Sequence, residues 1–343
     1  MKEFGSDFHL ITEYQSGKVH LPDLYPNSVM MADGRQCIVA LIRQEGWHRL
    51  WMPEFFCREV VETIKTQIGI EIVFYPDYPL ADDKTIVKNL PFKEGDVLIR
   101  MNYFGMRDLR SEKDIPVPVI EDHTHDLRGG WAFNSDADWC IASLRKSLPL
   151  PEGGMMWSPK GYRMNLNVKL LEDNKEIADI RWEAMRMKSD YLTGKTVEKE
   201  MFRRKYVETE DWFDHAGPSL IDERSRKYLN QFDVNAWQGA KKRNWRMLHS
   251  LISDKIKILQ PEDENCTMFS LILLAESKEQ RDEIRRKLIE RAVYPAILWQ
   301  MPETTSGVGQ DFSHRMLSIH CDGRYSEDDI RQLAEVVNQV IES

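Results

Sequence analysis

Through the first half of the chain, short apolar runs alternate with stretches whose apolar residues recur every three or four positions. The helical spacing covers Gln36–Gln44, just after Gly34, and returns over Val60–Gln67. Compact apolar runs predict strands over Leu50–Pro53, Ile70–Tyr75, Asp96–Tyr103, Val117–Glu121 and Trp139–Ser143. Runs that are apolar at nearly every position suit strands covered on both faces. Strands separated by helices predict an α/β fold, a mostly parallel central sheet with helices on both faces.

From Leu166 to about Leu192 the spacing becomes that of a long helix, carried by Leu170, Leu171, Ile177, Ile180 and Met187. A charged, aromatic-rich helical stretch continues to about Asn235. The last hundred residues differ again. Met268–Leu274 and Met316–His320 read as strands, and Glu279–Arg291 and Glu327–Ile341 as helices, which makes a compact α+β unit. The expected division is a larger domain over 1–235 and a smaller one over 236–343.

The chain has 343 residues, of which 42% are hydrophobic and 30% charged, a balance that supports a sizeable core in two domains. The net charge of −9 argues against a broad nucleic-acid face, since phosphate contacts need a positive surplus. No apolar run approaches the ~20 residues of a membrane span. Met1–His9 lacks an apolar signal core, and five scattered cysteines without a CxxC pair read as reduced thiols, so a cytoplasmic protein is expected.

Three local patterns carry chemistry. In Val119-Ile120-Glu121-Asp122-His123-Thr124-His125, an apolar strand runs into an acid at its carboxyl end, where open α/β sheets bind ligands. In Trp139-Cys140-Ile141-Ala142-Ser143-Leu144-Arg145-Lys146, a second strand ends in Ser143-x-x-Lys146. A lysine there is a candidate nucleophile, because burial and neighbouring cations lower its pKa, and the Ser143 hydroxyl can bond a phosphate oxygen. The third pattern, Glu152-Gly153-Gly154, allows close backbone approach. Taken singly, Asp122 suits a turn cap and Ser143-x-x-Lys146 a surface loop. Together they place a carboxylate and a lysine 24 residues apart at one sheet edge, as a pyridoxal 5'-phosphate (PLP) site requires.

The stretch Val119–Gly154 resembles the DegT/StrS group of sugar-nucleotide aminotransferases, fold-type-I PLP enzymes. Ile120-Glu121-Asp122-His123-Thr124-His125 is similar to their IED-x-x-H segment, and Lys146 followed by Glu152-Gly153-Gly154 to their lysine and EGG. The resemblance implies an aspartate-aminotransferase-like fold with PLP as cofactor. It implies that Lys146 holds PLP, that Asp122 pairs with the pyridine nitrogen, and that His125 sits beside the ring. It places the phosphate at the turn Gly34-Arg35-Gln36 with the Ser143 hydroxyl, and Phe56 against the ring. An amino-acid donor such as glutamate, an oxo acceptor such as a nucleotide-linked keto sugar, and a homodimer follow from the same likeness.

Rival readings are a PLP enzyme that does not transfer an amino group, and a catalytically silent binding or regulatory protein on the same fold. A zinc site drawn from Asp122, His123, His125 and Cys140 matches no common ligand spacing, so no metal is expected.

Overall fold

The structure is a computed structural model describing residues 2–15 and 17–343. Its centre is a seven-stranded sheet made of β1 (Val29–Met31), β2 (Arg49–Pro53), β3 (Glu71–Tyr75), β4 (Asp96–Met101), β5 (Val119–Asp122), β6 (Trp139–Ser143) and β7 (Gly154–Trp157). They lie in the order β1-β7-β6-β5-β4-β2-β3. The β2–β3, β2–β4, β4–β5 and β5–β6 pairs are parallel, and β7 is antiparallel to both its neighbours. The chain places β3 on one side of β2 and β4 on the other. A crevice therefore opens at the carboxyl ends of these strands, where the winding reverses.

Strands β4, β5 and β6 are buried at every position, which suits their largely apolar residues, and the buried charges Arg100 and Glu121 are paired with Glu112 and His123. Alternate residues serve opposite faces. Ile99, Ile120 and Ile141 pack with Ile38 and Leu41 of the helix Gly34–Glu45, while Leu98, Val119 and Cys140 share a core with Trp182 and Met185 of the helix Glu172–Leu192. The helix Gly34–Glu45 starts on a side-chain cap, Asp33 accepting from the Arg35 N–H, and stops at Gly46, whose φ of 68° is the left-handed turn that glycine tolerates.

Two strands of the central sheet were not expected from the sequence, nor were the short Phe4–Gly5, Lys257–Ile258 and Val293–Tyr294. Val29–Met31 and Gly154–Trp157 pair with each other across the sheet edge, so that only tertiary contact makes either a strand. The long helix begins at Glu172 rather than Leu166. The smaller unit holds an antiparallel sheet of Lys257–Ile258, Leu271–Leu274 and Met316–Ile319, with the helices Lys278–Glu290 and Glu327–Ile341. The expected boundary at 235/236 falls in the first turn of the helix Val234–Leu251. Phe4–Gly5 returns to pair with Val293–Tyr294, so N-terminal residues also join the smaller unit.

Gly154 sits against the turn that opens the helix Gly34–Glu45. A Cβ on Gly154 would lie 2.3 Å from the Asp33 carbonyl and 2.6 Å from the Gly34 nitrogen. Gly154→Ala is expected to lower unfolding stability by about 1–3 kcal/mol, the range for overpacking a tight site. Gly239→Ala, on an exposed helical face with nothing within 4 Å, is expected to raise it by about 1 kcal/mol. Urea midpoints for both variants against the parent test the contrast.

Candidate active site

Beyond the carboxyl ends of β2, β4, β5 and β6 lies a cavity of about 420 Å³. Of the residues singled out from sequence, Gly34, Arg35, Phe56, Asp122, His125, Ser143 and Lys146 all line it. Gln36 does not. It is fully buried, and its side-chain oxygen accepts from the Ser219 N–H on the far side of the helix. The expected backbone donation from Arg35 is also altered, because that N–H is already given to the Asp33 carboxylate at 2.8 Å.

Asp122 ends β5, and strand alternation turns it into the cavity while Glu121 points to the other face, pairing with His123 at 2.9 Å. Its carboxylate accepts from the Thr124 N–H at 2.8 Å and has no salt-bridge cation among the described residues. Burial pushes its pKa up, against the opposing pull of Thr124. His125 is buried, and its Nδ1 accepts from the Phe104 N–H at 3.0 Å, which leaves the proton on Nε2. Burial, then Lys241 and Lys146, bring its pKa down to about 3, so the ring is neutral. Lys241 is buried and reaches toward the His125 carbonyl at 3.4 Å.

Ser143 closes β6. Its hydroxyl is buried, lines the cavity and has no hydrogen-bond partner among the described residues. Lys146 stands three residues on, in the short helix Leu144–Ser147, with its side chain 47% accessible and lining the same cavity. Its pKa is lowered, chiefly by Arg145, with Glu210 opposing. Glu152 and Gly153 hold the scaffold. The buried Glu152 accepts from Asn174 and from the Asp222 N–H, both at 2.8 Å, and Gly153 donates to the Ala32 carbonyl.

Sequence reasoning missed a second set of lining residues. Glu210 and Asp214 come from the helix Lys199–His215, and Phe269, Leu298 and Trp299 from the smaller unit. Trp299 lies near-parallel to His125, with ring centres 5.8 Å apart, and to Phe56 at 6.2 Å. No spacing in the sequence distinguishes these residues. Arg145 had a signal, since it adjoins Lys146 in the chain. It meets Asp33 at 2.9 Å and Glu210 through two bonds of 2.7 and 3.0 Å.

A lysine and a bare carboxylate that line one cavity at the carboxyl edge of a mainly parallel sheet define an α/β ligand site. No family model matches the chain, and no curated protein does. Solved structures do. The PLP form of a proposed sugar aminotransferase of Streptococcus pneumoniae is 12% identical, with a TM-score of 0.66 over 99% of each chain. A DegT DnrJ EryC1 StrS aminotransferase of Brucella abortus is 15% identical, with a TM-score of 0.62 over 94% of this chain and 88% of its own. DesI, solved with its TDP-sugar product, is 14% identical, with a TM-score of 0.61 over 94% and 82%. The chain thus has the fold of the PLP-dependent aminotransferases, as the sequence resemblance implied.

Asp122 yields a pH prediction. Its folded-state pKa lies above the unfolded one, so its favourable contribution is full at low pH and lost as pH rises through the folded value. Cofactor-free Asp122→Asn is therefore expected to be more stable than the parent at neutral pH. The gap should close as pH falls into the carboxylate range. Thermal midpoints across that range decide it, and a gap independent of pH would mean that Asp122 already has a compensating partner.

Proposed function

We propose that the protein is a PLP-dependent aminotransferase that moves an amino group from glutamate, or a similar amino-acid donor, to a nucleotide-linked keto sugar. The carrying observation is the meeting of Asp122, Lys146 and the unpartnered Ser143 hydroxyl in one cavity at the carboxyl ends of adjacent parallel strands. PLP in such a site supplies an electron sink for the donor's α-carbon and a store for its amino group.

The residues present suit that group. Asp122 is a buried carboxylate lacking a cation, which a protonated ring nitrogen provides, and Asp122 in turn holds that proton in place. The Ser143 hydroxyl offers a free donor to a phosphate. The N-terminus of the helix Gly34–Glu45 offers a favourable dipole, with Arg35 adding positive charge beside it. The Lys146 Nζ, whose neutral amine Arg145 favours over the ammonium, is fit to bond the cofactor and then to take the donor's α-proton. The faces of His125, Phe56 and Trp299 suit a flat ring and exclude water. The keto-sugar acceptor rests on the TDP-sugar of DesI, and the homodimer on the family likeness.

A second reading, a PLP-fold protein without transamination, has one observation in its favour. The Arg35 N–H is engaged by Asp33 and its guanidinium by Asp214, so this phosphate turn is partly occupied by the protein's own acids.

Borohydride reduction after PLP addition, followed by peptide mapping, is expected to leave the pyridoxyl group on the peptide containing Lys146. A label confined to other lysines rejects the reading. Added glutamate is expected to bleach the visible cofactor band, and an unchanged band favours the second reading. Ser143→Ala should weaken PLP binding by about 1.5–3 kcal/mol, one hydrogen bond to a charged group, as read by PLP titration. Asp122→Asn should cripple turnover while leaving the fold intact.

A further inference from the structure

The corner of the cavity beside Lys146 is built around one carboxylate. Glu210 Oε1 lies 2.7 Å from Arg145 Nη2 and 3.9 Å from both Lys146 Nζ and Arg35 Nη2, while Oε2 meets Arg181 at 3.3 Å. Arg145 cannot turn away from this place. Its side chain is 4% exposed, it gives two parallel bonds to Glu210 and a third to Asp33, and it lies over the Phe213 ring at 4.9 Å. A planar guanidinium fits such a fork, whereas an ammonium cannot make both bonds in one plane.

We propose that Arg145, locked by Glu210 and Asp33, is the residue that sets the charge state of the Lys146 amine, with Glu210 as its positioning residue. This deepens the PLP reading, in which Lys146 is the lysine that bonds the cofactor. The remaining groups around Lys146 leave this role to the pair. On the segment entering the helix Arg58–Ile68, Cys57 is pushed up to about 12, first by burial and then by Glu59, and so stays neutral. Glu59 spends its charge on the Cys57 thiol at 3.0 Å. Beyond β5, His125 is neutral, and Asp122 is held by Thr124. At the start of the helix Gly34–Glu45, Arg35 is paired with Asp214, and Asp33 with Arg145 and Arg35. The largest charge that Lys146 meets is the fixed cation beside it in sequence, and the carboxylate that pins that cation, 3.9 Å away, opposes it first, with Asp33 adding to the opposition.

Arg145 disfavours the ammonium form of Lys146 and Glu210 favours it. Removing Arg145 therefore raises the Lys146 pKa toward the ordinary lysine value. Removing Glu210 leaves the cations unopposed and lowers it further.

Competitive acetylation with acetic anhydride, followed across pH by peptide mass spectrometry on the cofactor-free full chain, reads the free amine of Lys146 without PLP. The parent midpoint is expected below that of ordinary lysines. Arg145→Gln should move it up, and labelling at neutral pH should slow about tenfold for every pH unit by which the midpoint rises. Glu210→Gln should move it down, and Arg145→Lys, which keeps the charge but not the fork, should move it up by less than Arg145→Gln. An unmoved midpoint in folded Arg145→Gln, or an upward one in Glu210→Gln, overturns the proposal. Glu210 is 40% exposed, so its variant keeps the test decisive if Arg145→Gln fails to fold. PLP trapping with borohydride on the same parent sample is a separate readout. A label elsewhere than Lys146 would sink the cofactor reading, while the acetylation midpoints still judge Arg145.

Discussion

The turn Asp33-Gly34 lies against the ends of β6 and β7 with no room for one added carbon. A Cβ on Gly34 would approach the Ser143 Cβ to 2.8 Å, and a Cβ on Gly154 would strike the Asp33 carbonyl. This backbone contact seats the N-terminus of the helix Gly34–Glu45 directly over the sheet edge. It brings Ser143 and Arg35 to one wall of the cavity, and it puts the cap residue Asp33 within reach of Arg145. The two glycines 120 positions apart answer to one steric demand.

Charge is distributed unevenly around that contact. In the corner near Lys146, Asp33, Glu210 and Asp214 face Arg35, Arg145 and Arg181, and the carboxylates of Asp33 and Glu210 fall below their usual pKa because these cations outweigh burial. Across the cavity, Asp122 is buried without such help and its pKa rises. A buried carboxylate lacking a cation lowers the stability of the ligand-free protein. In the proposed cofactor site it is also the group that would take up the charge of a protonated ring nitrogen. The same cavity therefore has a self-neutralised end and an end left open.

The smaller unit completes the walls instead of merely flanking them. The Ser306 N–H bonds Glu54 at 3.0 Å, Phe55 packs edge-on against Phe312, and Phe269 donates its N–H to the Phe104 carbonyl beside His125. Trp299, with its carbonyl held by the Ser313 hydroxyl at 2.6 Å, brings an indole over Phe56 and His125. Movement of this unit would thus change the aromatic lining and the access to Lys146 together.

Read alone, the sequence determined the parts that depend on local pattern. The largely apolar runs of β4, β5 and β6 announce strands buried on both faces, and the acid and lysine that follow them, Asp122 and Lys146, mark candidate site residues. Those features are local because strand period and chain direction alone decide which residues reach the carboxyl edge. Tertiary structure decided the rest. Gly154–Trp157 is a strand because it pairs with both Trp139–Ser143 and Val29–Met31, Val29–Met31 because it finds Gly154–Trp157, and Gln36 leaves the cavity because its helix turns it toward Ser219. Glu210 and Trp299 enter from segments 64 and 153 residues beyond Lys146, where neither residue type nor spacing marks them. A helix face has many charged residues and a domain has many aromatics, and only packing selects the one that meets the lysine.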